Sequence, residues 1–398
     1  MVRIANRLIQ WLVEIPTMVS GHYDEMLSEY ASKNLTKEVD VQVSAVIAKN
    51  SNILGDAIPK CLVDTIQKFD ATLQSTMIEK MREMDSMPWS EWTKDDIPRF
   101  LGMKEMGEHD PYPIMRRACA GTTVLIAVII EHNVWVASLG DSEGCKSTSS
   151  SLKSYVTSSF IDLGRFVSNS WTATPMNDFH NLHNAAEVQR LQEEHPGEDD
   201  LIVYHRTKGQ LGISRGMHNR CNAFSELTQV YGTYLALGDA IFKVPIDLAR
   251  VLGMMWGCPI FPETMNQWIR QKHTPPYISS TPSVMHFSFE KGDLLVFCSD
   301  GVGSALKEQG VPDQDVANTI ISLAGMDLLD AESLLSYEKA IGHSFIPSSD
   351  INNISDRMIR NALFGLDNHR MAKETMAKMD SRPNYLRDDM SVVVVEIL

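Results

Sequence analysis

The spacing of apolar residues changes from helical to strand-like near Gly121. Before that point, apolar residues recur every three or four positions at the very start of the chain, which predicts an amphipathic helix carrying Ile4, Leu8, Leu12 and Ile15 on one face. The same spacing from Ile58 to Met84 predicts a second, longer helix. The sequence therefore predicts a mainly helical region over residues 1–106.

After Gly121 the chain alternates between apolar strand-like runs and helical segments. A hairpin is predicted where TTVLIAVII is joined to VWVAS by EHN. Two further strands are predicted at VMHFSF and DLLVFCSDG, with a turn of the chain at Lys291-Gly292 between them. A helix is predicted after Asn184, which can cap it, another from Ile354 to Leu363, and SVVVVEIL reads as a buried last strand. Because hairpins and helices are interleaved without strict βαβ order, the pattern favours an α+β fold over a doubly wound one.

Composition and charge exclude several classes of partner. The chain has 398 residues, with 36 Lys and Arg against 51 Asp and Glu, a net charge of −15. A surface that binds nucleic-acid phosphates is positively charged, so no nucleic-acid partner is expected for this negatively charged chain. No apolar run approaches the roughly 18 residues of a membrane span, so no membrane partner is expected either. The 6 cysteines form no C-x-x-C pair, which fits a reducing compartment.

Three aspartates occupy similar places at the ends of apolar runs. Asp141 follows VWVASLG, Asp300 follows LLVFCS, and Asp388 precedes MSVVVV. Carboxylates that converge at the rim of a sheet repel one another unless a cation neutralises them, and Mg²⁺ or Mn²⁺ prefers oxygen ligands. An aspartate at a strand end can equally well cap a turn. Spacing alone leaves both interpretations open.

The same segments carry a family resemblance. Gly121-Thr122-Thr123, VWVASLGDS, LLVFCSDG and RDDMSVVVV resemble, in order and spacing, motifs of the metal-dependent (PPM, type 2C) protein serine/threonine phosphatases. Finer similarity is to the pyruvate dehydrogenase phosphatase branch, through HNAAEVQRLQEEHPGE, LALGDAIFK, HTPPYISSTPSV and SDRMIRNALFG. The resemblance covers the chain from about residue 118 to its end.

The resemblance implies a fold, a reaction and a set of site residues. The fold would be a four-layer αββα sandwich, two antiparallel sheets flanked by helices. Two Mg²⁺ or Mn²⁺ ions would supply a metal-bound hydroxide that hydrolyses phosphoserine or phosphothreonine in a protein substrate. By motif, the metal ligands are Asp300 and Asp388, and the further motif acids are Asp141, Asp178 and Asp239, with Asp178 the candidate for an additional metal. The branch also implies a pyruvate dehydrogenase-type substrate in the mitochondrial matrix; the alternative location is the cytoplasm.

The largest departure from the family pattern concerns the first metal motif, D-G-H-x-G. It carries the aspartate that bridges both ions and a histidine thought to act as general acid, and it should precede the first helix. Because the chain is predicted to begin within that helix, we expect the motif, the strands before it and the phosphate-binding arginine to be absent. No catalytic residue is identified on this basis. Gly21-His22 is set aside as an equivalent, because it follows the predicted helix and is preceded by Ser20 where the family has Asp.

The remaining departures lie inside the chain. We expect one domain over residues 1–398 that lacks its first strands and carries surface insertions at 143–176 and 217–233. The first of these insertions contains the Ser- and Thr-rich stretch from Ser147 to Ser159. After Ser-Asp-Gly the chain has Ser304 where the family has an acid, which removes an oxygen ligand from the additional metal site.

These features leave three hypotheses open. The chain can represent an active phosphatase of which this sequence is an incomplete product. It can be a pseudophosphatase, a binding module that has lost its bridging ligand. It can also be an unrelated α+β binding protein. With two protein carboxylates to hold two ions, we expect weakened metal binding and little turnover; the sequence does not indicate an oligomeric state.

Overall fold

A computed structural model describes the chain over a set of separate ranges. They are residues 2–4, 10–14, 25–49, 54–84, 87–93, 95–96, 112–119, 121–122, 124–139, 160–167, 169–177, 180, 182, 184–199, 201–203, 206–207, 237–238, 240–255, 274–298, 300–363, 390 and 392–397.

The described ranges contain both strands and helices. The strands are β1 (Val2–Ile4), β2 (Gln10–Glu14), β3 (Gly121–Thr122), β4 (Val124–Ile130), β5 (Asn133–Leu139), β6 (Phe160–Val167), β7 (Ser170–Pro175), β8 (Ile202–Val203), β9 (Arg206–Thr207), β10 (Leu237–Gly238), β11 (Ser283–Ser288), β12 (Leu294–Cys298) and β13 (Val392–Ile397). The α-helices are α1 (Glu25–Lys49), α2 (Leu54–Met84), α3 (Tyr112–Cys119), α4 (Ala185–Glu194), α5 (Ile246–Met255), α6 (Asp300–Glu308), α7 (Val316–Ala324), α8 (Ala331–Ile341) and α9 (Ile354–Leu363).

Two larger sheets form the centre of the fold. Sheet A has five strands in the order β1-β13-β12-β6-β7, and sheet B has four in the order β11-β5-β4-β2. All of these pairs are antiparallel except β1 with β13, which is parallel. Two short antiparallel pairs, β3 with β10 and β8 with β9, complete the described strands.

Alternating side chains on the strands separate the molecule into four layers. Between the sheets, one buried cluster joins Leu125 and Ala127 of β4 to Leu295 and Phe297 of β12. The intervening residues of the same strands point outward and pack under helices, as the two-residue period of a strand requires. On sheet B that outer face is covered by α1 and α2, and on sheet A by α6, α7 and α9.

The strand and helix signals read after Gly121 are confirmed. The first predicted hairpin is β4 and β5, turning at Glu131, whose φ is 55°. Asn184 caps α4 by accepting a hydrogen bond from the backbone N–H of Ala186 at 3.0 Å. The resulting αββα sandwich is the fold class that the sequence predicted.

None of the helices in the described ranges has the combination of length and hydrophobicity that crossing a membrane requires.

The predicted helix at the start of the chain is wrong. The first described elements are the strands β1 and β2, and the first helix begins at Glu25. β2 pairs along β4 from Gln10 opposite Ile129 to Glu14 opposite Leu125. β4 is buried along its whole length, and β5 satisfies the backbone N–H and C=O groups on one side of it only. The groups on its other side need a second strand, and this requirement outweighs the helical spacing of apolar residues at the start of the chain. The expectation that the strands before the first helix are missing is therefore wrong as well.

The predicted surface insertion at 143–176 is wrong over its second half. Residues 160–167 and 170–175 are β6 and β7, and β6 pairs with β12 in the middle of sheet A. The Ser- and Thr-rich composition that indicated an excursion belongs to residues before 160. That stretch and the predicted insertion at 217–233 lie outside the described residues.

A close contact between α7 and β7 gives a test of this packing. The indole of Trp171 lies against Gly325, directly after α7, and its Nε1 donates to the Gly325 carbonyl oxygen at 2.9 Å. A Cβ atom on residue 325 would lie 2.1 Å from the Trp171 ring.

We expect Gly325→Ala to lower the free energy of unfolding by about 1–3 kcal/mol, because a rigid buried ring cannot move aside. Gly55→Ala in α2 is the matched control, since a Cβ there meets nothing within 4 Å, and it should change stability by between zero and about +1 kcal/mol. Urea denaturation of both variants measures the difference. Equal stability of the two variants would contradict the contact.

Candidate functional site

Four strand termini of sheet A lie at one edge. β12 ends at Cys298, which pairs with Val392 at the start of β13 and with Phe160 at the start of β6. β7 ends close by at Pro175, opposite Asp162 of β6. The chain therefore enters or leaves sheet A four times at this edge.

Sheet B has a corresponding edge. β4 begins at Val124, opposite Leu139 at the end of β5. β2 ends at Glu14, opposite Leu125, so it finishes at the same edge. The short pair β3–β10, with Gly238 opposite Gly121, immediately precedes β4.

The two edges lie at the same end of the sandwich. Phe289 donates its backbone N–H to the carbonyl oxygen of His132 at 3.0 Å, which ties the chain just before β12 to the β4–β5 turn. The start of β12 therefore lies beside the turn that joins β4 to β5. Because packed sheets keep their strands within about 30° of each other, the end of β12 and the end of β5 lie together at the opposite end. We call that end, defined by Glu14, Leu139, Cys298 and Val392, the candidate edge.

Of the site residues predicted from sequence, Asp300 lies within the described residues. It is the first residue of α6, two positions after Cys298, where the chain turns from β12 into the helix. Its position at the candidate edge follows from the register of β12. The other four predicted acids lie outside the described residues: Asp141, Asp178, Asp239 and Asp388.

The described neighbours of those four acids all lie at the candidate edge. In sequence, Asp388 is four positions before β13, Asp141 two positions after β5, Asp178 three positions after β7 and Asp239 directly after β10. Within the described ranges, no group of three His, Cys, Asp or Glu side chains that could hold a metal ion is present. Convergence of the five acids remains a prediction, and its oxygen donors are of the type that Mg²⁺ and Mn²⁺ prefer.

The structure changes the interpretation of Gly21-His22. This dipeptide was set aside because it was expected to follow the first helix. In the structure it lies in the sequence between β2, which ends at Glu14 at the candidate edge, and α1, which begins at Glu25. Strand, Gly-His, then helix is the order that the family motif requires, so the positional objection is wrong. Residues 20–22 themselves lie outside the described residues, and Ser20 stands where the family has Asp.

A buried ion pair anchors the segment that follows Asp239. Lys243 Nζ donates to both carboxylate oxygens of Asp70 in α2, at 3.0 and 2.9 Å, and Gln74 donates to Asp70 Oδ2 at 2.8 Å. The side chains of Lys243 and Asp70 are 3% and 2% exposed. Their 173-residue separation left no signal in the sequence, although Lys243 belongs to the LALGDAIFK motif.

A second polar network joins two of the motifs that carry the resemblance. Thr274 donates its hydroxyl hydrogen to Glu198 Oε1 at 2.5 Å and lies 2.9 Å from Nδ1 of His195. Tyr277 donates to the other oxygen of Glu198 at 3.1 Å. These hydrogen bonds connect the HTPPYI segment to the residues that follow α4. His195, Glu198 and Tyr277 are buried, and the exposed Thr274 links them by hydrogen bonds, so we assign this network to support of the fold.

Comparison with known proteins finds relatives that are protein phosphatases. The chain is 22% identical over 351 residues to human mitochondrial pyruvate dehydrogenase (acetyl-transferring) phosphatase 1, covering 84% of this chain and 56% of that protein. It is 28% identical over 241 residues to human mitochondrial pyruvate dehydrogenase phosphatase 2, covering 56% of this chain and 41% of that protein. No protein-family profile matches the chain.

Among solved structures, a serine-threonine phosphatase 2C from Toxoplasma gondii aligns over 97% of this chain and 93% of its own length, at 11% identity and a TM-score of 0.40. Independently of that structure, the curated homologues of the chain are phosphatases of the type 2C kind, pyruvate dehydrogenase phosphatases among them, which confirms the resemblance. The chain spans about half the length of the curated relatives that it matches.

The buried pair can be tested by removing one partner. We expect Lys243→Met to lower the free energy of unfolding by about 3–5 kcal/mol, because it leaves the Asp70 carboxylate buried without its counter-charge. Lys60→Met is the control, since Lys60 and Asp64 form a pair with 78% and 60% exposed side chains, worth about 0–1 kcal/mol. Urea denaturation of both variants provides the comparison.

The double variant Asp70→Leu/Lys243→Met sharpens this test. It should be more stable than Lys243→Met alone, because replacing Asp70 by Leu removes the buried carboxylate that would otherwise lack its counter-charge. A double variant less stable than the single one would contradict the electrostatic explanation.

Proposed function

We propose that this chain is a metal-dependent protein serine/threonine phosphatase that hydrolyses phosphoserine or phosphothreonine in a protein substrate. The single observation that carries the proposal is the register of β12 with β13. It pairs Cys298, two positions before Asp300, with Val392, four positions after Asp388. The homologues, which are type 2C phosphatases, support the same assignment.

Each proposed residue has a defined task. Asp300 and Asp388 would hold the divalent cations, and Asp178 is the candidate ligand of an additional one. When bound, such cations lower the pKa of water, neutralise phosphoryl oxygens and orient the substrate. The protein would contribute oxygen ligands held in fixed positions. Asp300 meets this requirement because α6 starts directly after β12, a strand that is buried over its whole length. Asp141 and Asp239 are assigned to the turns that follow β5 and β10.

A second candidate function, a pseudophosphatase that binds rather than hydrolyses, is favoured by one observation. The sequence Ser20-Gly21-His22 lies between β2 and α1, at the place in chain order where the family has D-G-H-x-G. A serine hydroxyl carries no charge, so it would neutralise two cations less well than the carboxylate. We therefore expect weakened metal binding and slow turnover compared with a protein that has Asp at this position.

The substrate and location follow from the relatives alone. Two of them are named as mitochondrial pyruvate dehydrogenase phosphatases, so we propose a phosphorylated subunit of a dehydrogenase of that type and the mitochondrial matrix. The cytoplasm is the alternative location.

Replacement of Asp300 tests the proposed ligand. In Asp300→Asn, the rate of phosphate release from a phosphothreonine peptide with Mn²⁺ should fall by more than about 100-fold. Replacing a residue that only hydrogen-bonds to a metal ligand costs up to about 100-fold in metal affinity or activity, and replacing the ligand itself should cost more. Asp350→Asn, at an exposed position, removes the same charge and should retain the activity of the unsubstituted chain. Equal activity in Asp300→Asn and Asp350→Asn would refute the proposed metal role.

Replacement of Ser20 decides between the two candidate functions. If Ser20 occupies the bridging position, Ser20→Asp restores a carboxylate and should tighten Mn²⁺ binding by at least about tenfold, with a parallel rise in phosphate release. Isothermal titration with Mn²⁺ and the phosphopeptide assay measure the two effects separately. Tighter Mn²⁺ binding without hydrolysis would favour the binding module, whereas no change in either quantity would contradict the assignment of Ser20.

A further inference from the structure

Among the described residues, the carboxyl group of Asp162 is buried between sheet A and the helices that cover it. Asp162 is in β6, opposite Val296 of β12 and Pro175 of β7, and it is 0% exposed. Its neighbour Leu163 belongs to the cluster between the sheets, so Asp162 points to the other face. On that face Val296 packs with α6, α7 and α9, which we call the helix layer.

The Asp162 carboxyl has no hydrogen-bond partner for either oxygen among the described residues. Burial in this apolar environment disfavours the charged form and raises the pKa of Asp162 to about 7. Burial is the sole cause of that shift. The geometry and the direction of the shift agree, since a carboxylate enclosed in this way has nothing to replace its lost hydration.

No described element packed directly on β6 carries a charge toward Asp162. The sequences of β7, β12 and α7 contain no Asp, Glu, Lys, Arg or His. On β6 itself, Arg165 forms a bidentate ion pair with Asp293, at 3.0 and 2.7 Å. The next helices outward, α6 and α9, carry the following charged residues: Asp300, Lys307, Glu308, Asp356, Arg357 and Arg360.

The two arginines of α9 already have carboxylate partners. Arg357 is paired with Asp327 at 2.9 Å, and Arg360 with Asp356 at 2.9 Å. Burial, and no charged group, accounts for the raised pKa of Asp162, so neither these arginines nor Lys307 stabilises its ionised form.

We propose that Asp162 is a proton-controlled latch that holds the helix layer on sheet A. With its proton, the side chain is neutral and the packed layer accommodates it. Without the proton, the charge must reach water, and separation of α7 from the sheet is a smaller change than unfolding the whole domain. Since α6 starts at the candidate edge, loosening of the layer would extend to that edge. The latch goes beyond the proposed function and does not depend on it.

The direction in which pH changes stability follows from the linkage between proton binding and folding. Asp162 takes up its proton near pH 4 in the unfolded chain and near pH 7 in the folded one. Between those values the folded state binds more protons, so stability is lost as the pH rises and levels off above about 7. The folded-to-unfolded ratio should fall about tenfold for each pH unit within the window.

The test compares pH dependences rather than absolute stabilities. Urea denaturation of the unsubstituted chain, Asp162→Asn and Asp350→Asn is measured between about pH 5 and about pH 8. Asp350→Asn should follow the unsubstituted chain, whereas Asp162→Asn should lack the tenfold loss per unit below pH 7, because its amide cannot ionise. If Asp162→Asn does not fold, Asp162→Leu, which is of similar size and uncharged, takes its place.

Hydrogen exchange locates the change. In the unsubstituted chain, amide protection of α7 should fall as the pH rises from about 5 to about 7 and then level off, after correction for intrinsic exchange, while α1 and α2 on the other sheet keep theirs. The Asp162→Asn variant should keep protection in α7 as well. Parallel stability curves for the unsubstituted chain and the Asp162 variants, or equal loss of protection in α1 and α7, would overturn the latch.

Discussion

The double pairing of β12 is the constraint on which the rest of the structure depends. Each residue of this strand, LLVFC, is buried, so its backbone groups must be satisfied by strands on both sides, and β13 and β6 supply those bonds. Its side chains must likewise be covered on both faces. Leu295 and Phe297 fill the space between the sheets, while Leu294, Val296 and Cys298 lie under the helix layer. One strand thus fixes the order of sheet A, the contact with sheet B and the position of α6.

The two ends of β12 have different physical characters. At its start, the Asp293 carboxylate accepts two hydrogen bonds from Arg165, and the backbone of Asp293 bonds to Ile397, so this end is fastened by polar contacts. At its other end, the chain turns directly into α6 at Asp300. A strand fastened at one end and buried along its length is a rigid mount for a functional group at the other. That is the physical reason for expecting ligands at the candidate edge.

The sequence signals that succeeded were those with a local cause. The β4–β5 hairpin follows from two β-branched runs around a short turn, and α4 from the capping capacity of Asn184. The place of Asp300 shortly after β12 in chain order also required no tertiary information. Signals failed where a distant partner decided the outcome. β2 pairs with β4 more than one hundred residues away, and β6 lies in the sheet because β12 needs a neighbour on that side.

By itself, the sequence determined the α+β class and the order of the later elements, and its short motifs suggested the chemistry that we propose, because periodicity, turns and motifs are encoded by neighbouring residues. The tertiary structure decided which strand ends share an edge, since register depends on pairing between remote segments. It also decided the contrast between Asp293 and Asp162. Both are buried aspartates, yet one lies opposite Arg165 and the other faces apolar side chains. The stabilisation of a carboxylate depends on what surrounds it in space, and no local pattern records that.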